Sequence, residues 1–265
     1  MQLVERAKQY IIEGDAFQIV LSRRFTQHYQ ATPFDIYRAL RRISPAPYMF
    51  YIPTDDGVIV GASPEKLIKV RHNQVEINPI AGTRPRLQNN QDEIIETELL
   101  NNEKEVAEHM MLVDLARNDL GRVCAPKSVQ VSDLLKVKHF SHVSHITSTV
   151  KGQLRDNMDA LDALAAVFPA GTLSGAPKIR AMQIIDELET SKRGLYGGAI
   201  CRLDHQGNLD SCIAIRMALL QDGKATIRTG AGIVYDSDPK SEANETRQKA
   251  QSVLAAIQLA EEELA

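Results

Sequence analysis

The chain has 265 residues, of which 43% are hydrophobic and 25% charged, a balance typical of a soluble globular protein with a sizeable core. A formal net charge of −3 leaves no basic excess to neutralise phosphates, which excludes nucleic acid as an expected partner. Three widely spaced cysteines match neither a paired metal motif nor a secreted disulfide framework, and no run reaches the ~18 apolar residues of a membrane span, so we expect a cytoplasmic protein without a membrane partner.

The first half of the chain alternates predicted helices with β-hairpins. Helices are indicated by apolar residues at helical spacing, strands by β-rich runs, and turns by glycine or asparagine. In order, the predicted elements are a helix over residues 3–11 that ends at Gly14-Asp15, a strand from Phe17 to Phe25, a helix that begins at Thr32-Pro33, a hairpin with strands Tyr48–Ile52 and Val58–Gly61, a hairpin over Leu67–Ile80 turning near Asn73, and a helical region from about Gln91 to about Leu120.

The second half is predicted to be richer in strands. Its expected elements are a β-rich stretch over Val129–Val150, helices over Met158–Phe168 and Ile179–Leu188, a meander with strands Gly197–Leu203, Leu209–Leu220 and Ala225–Thr229, and a helix from about Lys240 to the end. The meander is indicated by turn residues between its strands. No low-complexity linker or internal repeat interrupts the chain, so we predict one α+β domain over residues 1–265.

Two pairs of glutamates have the spacing of a metal site. Glu105 and Glu108, like Glu242 and Glu245, lie three residues apart in helical patterns, which places both carboxylates of a pair on one helix face. Carboxylate oxygens are ligands that magnesium prefers, and two such pairs could hold one ion. The alternative is that each pair belongs to an ordinary solvated helix face.

Two glycine-rich segments have the composition of anion-binding loops. Residues 169–178, PAGTLSGAPK, combine glycine, hydroxyl groups and a lysine before a predicted helix, where free N–H groups favour an anion. Gly230-Ala231-Gly232 follows a predicted strand and would let a ligand approach the backbone. Arg216, predicted to lie within a strand, either caps a sheet edge or faces a carboxylate. Each segment also fits an ordinary loop or sheet edge.

The ordered motifs of this chain resemble the catalytic domain of the chorismate-utilising enzymes, in particular the anthranilate synthase large subunits. No GxSxG elbow, Walker loop, HExxH helix or paired CxxC points to a different chemistry. The resemblance covers nearly the whole chain and is carried by GDAFQIVLS (14–22), SPEKL (63–67), PIAGTRPR (79–86), EHMMLVDLARNDLGRV (108–123), FSHVSHI (140–146), PAGTLSGAPKIRAM (169–182), RGLYGGAI (193–200) and GAGIVYDSDPKSEANET (230–246).

The resemblance implies a layered α/β sandwich with mostly antiparallel sheets and a bound Mg²⁺. It assigns the ion to Glu108 and Glu245, with Glu105 and Glu242 in support, so both glutamate pairs fall where the family places its metal. The family's large subunit normally has a further amino-terminal region, which completes the fold and holds a tryptophan inhibition site. Because this region is missing from the sequence, we expect no feedback inhibition by tryptophan.

The resemblance also implies a set of substrate-binding residues. Carried over residue by residue, the ring and carboxylates of chorismate would lie among Gly82, Thr83, Thr172, Gly230, Ala231, Gly232 and Lys249, with Tyr196 and Arg216 at the enolpyruvyl end. A dicarboxylate substrate needs cations and N–H groups to offset its charge. Glu65 resembles the general acid that protonates the departing ring hydroxyl, for which it must itself be protonated. Thr172 joins Glu65 in the expected catalytic set.

Two positions, Gln18 and Ala81, distinguish the branches of this family. Isochorismate and salicylate synthases have a lysine base where this chain has Gln18, which cannot take a proton near neutral pH, so ammonia rather than water is the expected nucleophile. Aminodeoxychorismate synthases have a lysine where this chain has Ala81, so ammonia should add directly. His145 matches the histidine that the family links to pyruvate elimination. The alternative to this catalytic role is that His145 is a core histidine whose ring nitrogens are satisfied by hydrogen bonds.

The expected activity is formation of anthranilate from chorismate and ammonia. None of the three cysteines lies in a recognisable glutaminase triad, so a separate glutamine amidotransferase subunit is the expected source of ammonia. One rival is an enzyme that stops at the aminated intermediate, aminodeoxyisochorismate. The other is a catalytically silent chorismate-binding domain whose motifs are intact but whose site does not close without the amino-terminal region.

Overall fold

A computed structural model describes residues 1–86, 92–139 and 143–263. The helices of these ranges are α1 (Gln2–Ile12), α2 (Pro33–Ile43), α3 (Asp92–Asn101), α4 (Glu103–Gly121), α5 (Ala160–Val167), α6 (Gly171–Ser174), α7 (Lys178–Leu188) and α8 (Pro239–Glu263). The strands are β1 (Gln18–His28), β2 (Tyr48–Thr54), β3 (Gly57–Ser63), β4 (Lys66–Arg71), β5 (Gln74–Ile77), β6 (Ile80–Pro85), β7 (Gln130–His139), β8 (Val143–Gln153), β9 (Gly175–Ala176), β10 (Ala199–Leu203), β11 (Leu209–Ile213), β12 (Met217–Gln221) and β13 (Lys224–Ile233). No helix among the described residues is both long and apolar enough to cross a membrane.

The contacts of the chain divide it into two compact units. The first unit comprises Met1–Glu65, Thr172–Ile200 and Cys212–Ala265, and the second comprises Lys66–Gly171 and Cys201–Ser211. The prediction of a single domain stays a prediction, because contact density alone does not define what folds independently.

The first unit is built on a six-stranded antiparallel sheet in the order β2-β3-β12-β13-β1-β9. Its longest ladder pairs β1 with β13 over ten residues, from Ile19↔Ile233 to His28↔Lys224. Successive strand residues face opposite sides of a sheet, so Val60 packs in the core beneath α2 and α8 while Ile59 packs in a separate cluster with Phe50. Ala250, Val253 and other buried residues of α8 form the apolar stripe that the sequence predicts.

The second unit is built on a seven-stranded antiparallel sheet in the order β10-β11-β4-β5-β8-β6, with β7 also paired to β8. A β-bulge between Ala81 and Thr83 interrupts the β6–β8 ladder at Gly82, which has a φ of +62°. Ile95 and Leu99 of α3 pack in one cluster with Ile146 of β8, and Val106 of α4 lies against it. Both sheets are antiparallel, which confirms the predicted α+β class.

The local signals located most of the elements correctly. Thr32 caps α2 by accepting a hydrogen bond from the Asp35 N–H, and the predicted turn residue Gly57 begins the second strand of the β2–β3 hairpin. The second hairpin turns at His72 and Asn73, which both have positive φ values. The β-rich stretch after Val129 forms the paired strands β7 and β8, while Gln91, the predicted start of the long acidic helix, lies outside the described residues.

The predicted helical region up to about Leu120 consists of two helices, because Asn102 ends α3 and caps α4 through its side-chain oxygen, which accepts a hydrogen bond from the Glu105 N–H. One prediction about element boundaries was wrong. The single strand over Leu209–Leu220 is also two strands, which belong to different sheets, because the chain leaves the ladder at Ala214–Arg216. Because β11 and β12 lie in different sheets, the predicted three-stranded meander does not exist, and apolar composition alone did not reveal the break.

Candidate active site

Glu65 lies at the end of the first segment of the first unit, just after β3. The Thr172 hydroxyl donates a hydrogen bond of 2.8 Å to its Oε1 atom. Burial raises the pKa of the Glu65 carboxyl above its ordinary value, while the Thr172 hydrogen bond and the positive charges of Lys249 and Arg216 act in the opposite direction. A carboxyl group in such surroundings retains a proton more readily than an exposed glutamate, as a general acid must.

Arg216 lies in the connection between β11 and β12 rather than within a strand as predicted. It has a φ of +52°, a left-handed conformation that non-glycine residues rarely adopt and that is concentrated at functional sites. Its carbonyl accepts a hydrogen bond from the Ala62 N–H at 3.0 Å. Burial lowers the pKa of its guanidinium group, whereas Tyr196, Glu245 and Glu65 raise it, so this cation lies near two carboxylates of the predicted site.

Gly230 lies where β13 approaches a buried tyrosine. A Cβ atom added at Gly230 would lie 2.6 Å from the Tyr196 hydroxyl oxygen and 2.8 Å from the Leu21 carbonyl oxygen, so a side chain has no room there. Burial raises the pKa of Tyr196 above its ordinary range, so its hydroxyl is a neutral hydrogen-bond donor. The Lys249 ammonium group donates to the Gly230 carbonyl at 3.0 Å and pairs with Glu245 at 2.6 Å.

Gln18 is buried and lies against the other glycine of the same segment. A Cβ atom at Gly232 would lie 2.7 Å from the Gln18 Nε2 atom, so the absent side chain leaves the space that the Gln18 amide occupies. Ala231, between the two glycines, is buried and faces Leu21 in the β1–β13 register. Nine residues of the predicted catalytic and substrate-binding sets thus lie in the first unit: Gln18, Glu65, Thr172, Tyr196, Arg216, Gly230, Ala231, Gly232 and Lys249.

His145 lies on β8 in the second unit, opposite Thr83 on β6. Its Nδ1 atom lies 2.9 Å from the Gly82 carbonyl oxygen and 3.1 Å from the Thr83 hydroxyl oxygen. A carbonyl oxygen only accepts, so Nδ1 must carry the proton, and in the neutral ring the lone pair is on Nε2. The structure therefore brings Gly82, Thr83 and His145 together. Residues 140–142 of the FSHVSHI motif lie outside the described residues.

The glutamate pairs lie on helices, as predicted. Glu105 and Glu108 are partly buried on α4, and Glu105 accepts a hydrogen bond of 3.2 Å from Arg84. Glu242 and Glu245 are partly buried near the start of α8. No group of three or more histidine, cysteine, aspartate or glutamate side chains that could hold a metal occurs within the described residues. Each helix offers two hard oxygen ligands, which suits Mg²⁺ because it usually retains several waters and binds one or two protein carboxylates.

The first unit contains a buried ionic cluster that was not predicted from the sequence. Glu189, whose side chain is 5% exposed, pairs with Arg193 at 2.7 Å and with Arg228 at 3.1 Å. Arg193 also lies over the ring of Tyr196, with 5.7 Å between the guanidinium carbon and the ring centroid. One available signal was the spacing of four residues between Glu189 and Arg193. The other was Arg228, the one charged residue of the predicted strand Ala225–Thr229.

The chain is similar to known proteins in both sequence and fold. The family of chorismate binding enzymes matches residues 1–255. Anthranilate synthase component 1 of Bacillus caldotenax is 56% identical over 97% of this chain and 51% of its own length, and that of Acetivibrio thermocellus is 54% identical over 98% and 53%. The chain therefore spans about half the length of the curated relatives it matches.

Solved structures show the same fold. The crystal structure of anthranilate synthase component I from Streptococcus pneumoniae has a TM-score of 0.89 and 49% identity, covering 95% of this chain and 56% of that one. The menaquinone-specific isochorismate synthase of Escherichia coli has a TM-score of 0.85 and 25% identity, covering 97% and 60%. From its motifs, its fold and these matches, the chain belongs to the family of chorismate binding enzymes.

Proposed function

We propose that this chain carries out the anthranilate synthase reaction, in which ammonia aminates chorismate and pyruvate is then eliminated. The observation that carries the proposal is the surroundings of Glu65. Its carboxyl group has a raised pKa, accepts a hydrogen bond from Thr172 and lies near the cations Arg216 and Lys249. A group that holds a proton beside two cations suits an acid acting on a dicarboxylate substrate.

In the amination step, Glu65 gives its proton to the ring hydroxyl, which leaves as water while ammonia forms the new carbon–nitrogen bond. Gln18 supports ammonia as the nucleophile, because a carboxamide cannot remove a proton from water near neutral pH. Ala81, which is buried on β6, has no amine with which to form a covalent adduct to the ring.

In the elimination step, we assign proton removal to His145. The Gly82 carbonyl fixes the proton on Nδ1, which leaves the Nε2 lone pair to accept the ring proton as the bond to the enolpyruvyl oxygen breaks. The departing enolate takes up one proton from solvent at its methylene carbon and becomes pyruvate. Lys249, Arg216, Tyr196 and the backbone around Gly82, Thr83 and Gly230 would bind the substrate carboxylates and ring.

We propose Mg²⁺ as the cofactor, held by Glu108 and Glu245 with support from Glu105 and Glu242. When bound, the ion would offset the charge of the ring carboxylate and polarise the adjacent diene. The chemistry of the ligands supports this assignment, because all four groups are hard carboxylates on regular helical turns. We further propose that a glutamine amidotransferase subunit supplies ammonia and that the protein acts in the cytoplasm.

The test is anthranilate fluorescence after the purified chain is mixed with chorismate, Mg²⁺ and ammonium at mildly alkaline pH. We expect fluorescence that EDTA abolishes and that glutamine alone does not support. Release of aminodeoxyisochorismate without pyruvate would show an enzyme that stops at the intermediate. Chorismate binding by a folded chain, without any turnover, would replace the proposed activity with a binding function.

A further inference from the structure

Glu189 is the centre of a buried network with more cationic than anionic charge. Its Oε1 atom accepts hydrogen bonds from the Ser22 N–H and Ser22 hydroxyl, each at 2.8 Å, and from Arg193 Nη2 at 2.7 Å. Its Oε2 atom accepts from Arg193 Nε and from Arg228 Nη1, each at 3.1 Å. Arg228 also donates to the Ser191 carbonyl at 3.1 Å. Glu189 is therefore fully paired and orients both guanidinium groups.

Arg193 extends this network to the residues of the candidate site. Its Nη1 group donates to the Leu173 carbonyl at 2.6 Å, and its Nη2 group donates to the Val20 carbonyl at 2.6 Å. Leu173 is adjacent to Thr172, and Val20 lies two residues from Gln18. The guanidinium carbon of Arg193 lies over the ring of Tyr196. One side chain thus ties the turn at residues 171–174 to strand β1.

We propose that Arg193, oriented by Glu189, is a positioning residue that holds the Thr172 turn against β1, so that the Thr172 hydroxyl stays within hydrogen-bonding distance of Glu65. This inference rests on the proposed function only in treating Glu65 as the acid. Arg228 shares the Glu189 carboxylate, but its other hydrogen bonds lead to Ser191 rather than to the turn. Substitution of Arg193 therefore tests the position of the turn, whereas substitution of Arg228 tests the stability of the ionic cluster alone.

A lysine cannot replace Arg193 in this role. The guanidinium group uses four donor directions in one plane, two toward Glu189 and one each toward Leu173 and Val20. An ammonium group has three donors and no fixed plane, so Arg193→Lys keeps the charge but loses the connection between the turn and the strand. The Thr172 turn would then lose its side-chain link to β1 and be held only through the β1–β9 pairing that follows it, although the ionic cluster could still form.

The test follows the titration of the Glu65 carboxyl by carbon NMR in the folded chain, with its signal assigned by Glu65→Gln. The Thr172 hydrogen bond favours the ionised carboxylate, so its loss raises the pKa of Glu65. We expect Arg193→Lys and Thr172→Val each to raise this pKa, and the double variant to raise it no further than Thr172→Val alone. Arg228→Lys is the matched control and should lower thermal stability without moving the titration. The alkaline limb of kcat/KM should move to higher pH in parallel, because Glu65 acts in its protonated form, while the plateau below that limb should be about tenfold lower in Arg193→Lys because the acid is no longer held in position.

The outcomes distinguish this inference from the proposed function. An unchanged Glu65 titration in folded Arg193→Lys would overturn the positioning role, whatever the activity of the parent chain. Equal shifts in Arg193→Lys and Arg228→Lys would also overturn it, since they would indicate a general loss of packing. Conversely, the expected titration shifts in a parent chain that forms no anthranilate would support the positioning role and refute the proposed function.

Discussion

Gly230→Ala tests whether the close contact between β13 and Tyr196 is essential. The added Cβ would lie 2.6 Å from the tyrosine oxygen and 2.8 Å from the Leu21 carbonyl oxygen, well inside the roughly 3.5 Å at which such contacts become favourable. Tyr196 is 8% exposed and Leu21 belongs to the β1–β13 ladder, so neither atom can move without disturbing its neighbours. Overpacking of this kind typically costs about 1–3 kcal/mol of unfolding free energy.

The measurement is urea unfolding followed by far-ultraviolet circular dichroism, because the chain has no tryptophan to report by fluorescence. We expect a lower midpoint for Gly230→Ala and, in the active enzyme, a higher KM for chorismate as the Tyr196 hydroxyl is displaced. Gly121→Ala is the control, since a Cβ there meets nothing within 4 Å and the residue is helical. It should be neutral or stabilising by up to about 1 kcal/mol. An unchanged midpoint in Gly230→Ala would refute the reasoning.

Four further predictions concern titration, metal, elimination and capping. Folding raises the pKa of Glu65, so the folded chain binds this proton more tightly than the unfolded chain does. The unfolding free energy should therefore fall as pH rises from the ordinary pKa of a glutamate to the raised one. Over this pH range the urea midpoint should change less in Glu65→Gln than in the parent chain. Glu245→Gln should fold but lose Mg²⁺-dependent anthranilate formation, while Glu262→Gln on the same helix keeps it; full activity of the first would remove the metal assignment. His145→Met should slow pyruvate release more than chorismate consumption in parallel assays, and equal slowing would contradict its role. Asn102→Ala removes the cap of α4 and should lower the urea midpoint by the equivalent of about 1 kcal/mol, and an unchanged midpoint would show that the cap is dispensable.

Local signals in the sequence predicted most elements because they act over a few residues. A capping threonine, paired turn residues and an apolar helix stripe each determine structure without reference to distant strands. The break at Arg216 was not predicted, because the residues on both sides are equally apolar and only their partner strands differ. β11 extends the sheet of the second unit, whereas β12 pairs with β3 and β13 in the first.

Only part of the candidate site could be predicted from the sequence, for a similar reason. Residues inside contiguous motifs, such as Thr172 and Gly230, could be assigned to it from the resemblance. Glu189 was missed because its importance comes from burial beside two arginines that are distant or unremarkable in sequence. The raised pKa of Glu65 likewise depends on burial and on charges contributed by residues more than a hundred positions away, which no local pattern encodes.

The hydrogen bond between Thr172 and Glu65 has a consequence for how the chain folds. Glu65 is the last residue before the chain enters the second unit and Thr172 is the first after its main segment, so this bond closes an excursion of more than a hundred residues. Strand β1 also pairs with β13, which follows it by about two hundred residues in the sequence and is therefore synthesised much later. During synthesis most of the second unit is available before the first can complete its central ladder. The proposed catalytic acid would therefore acquire its surroundings among the last events of folding, and a nascent chain would expose the edge of β1 to mispairing until then.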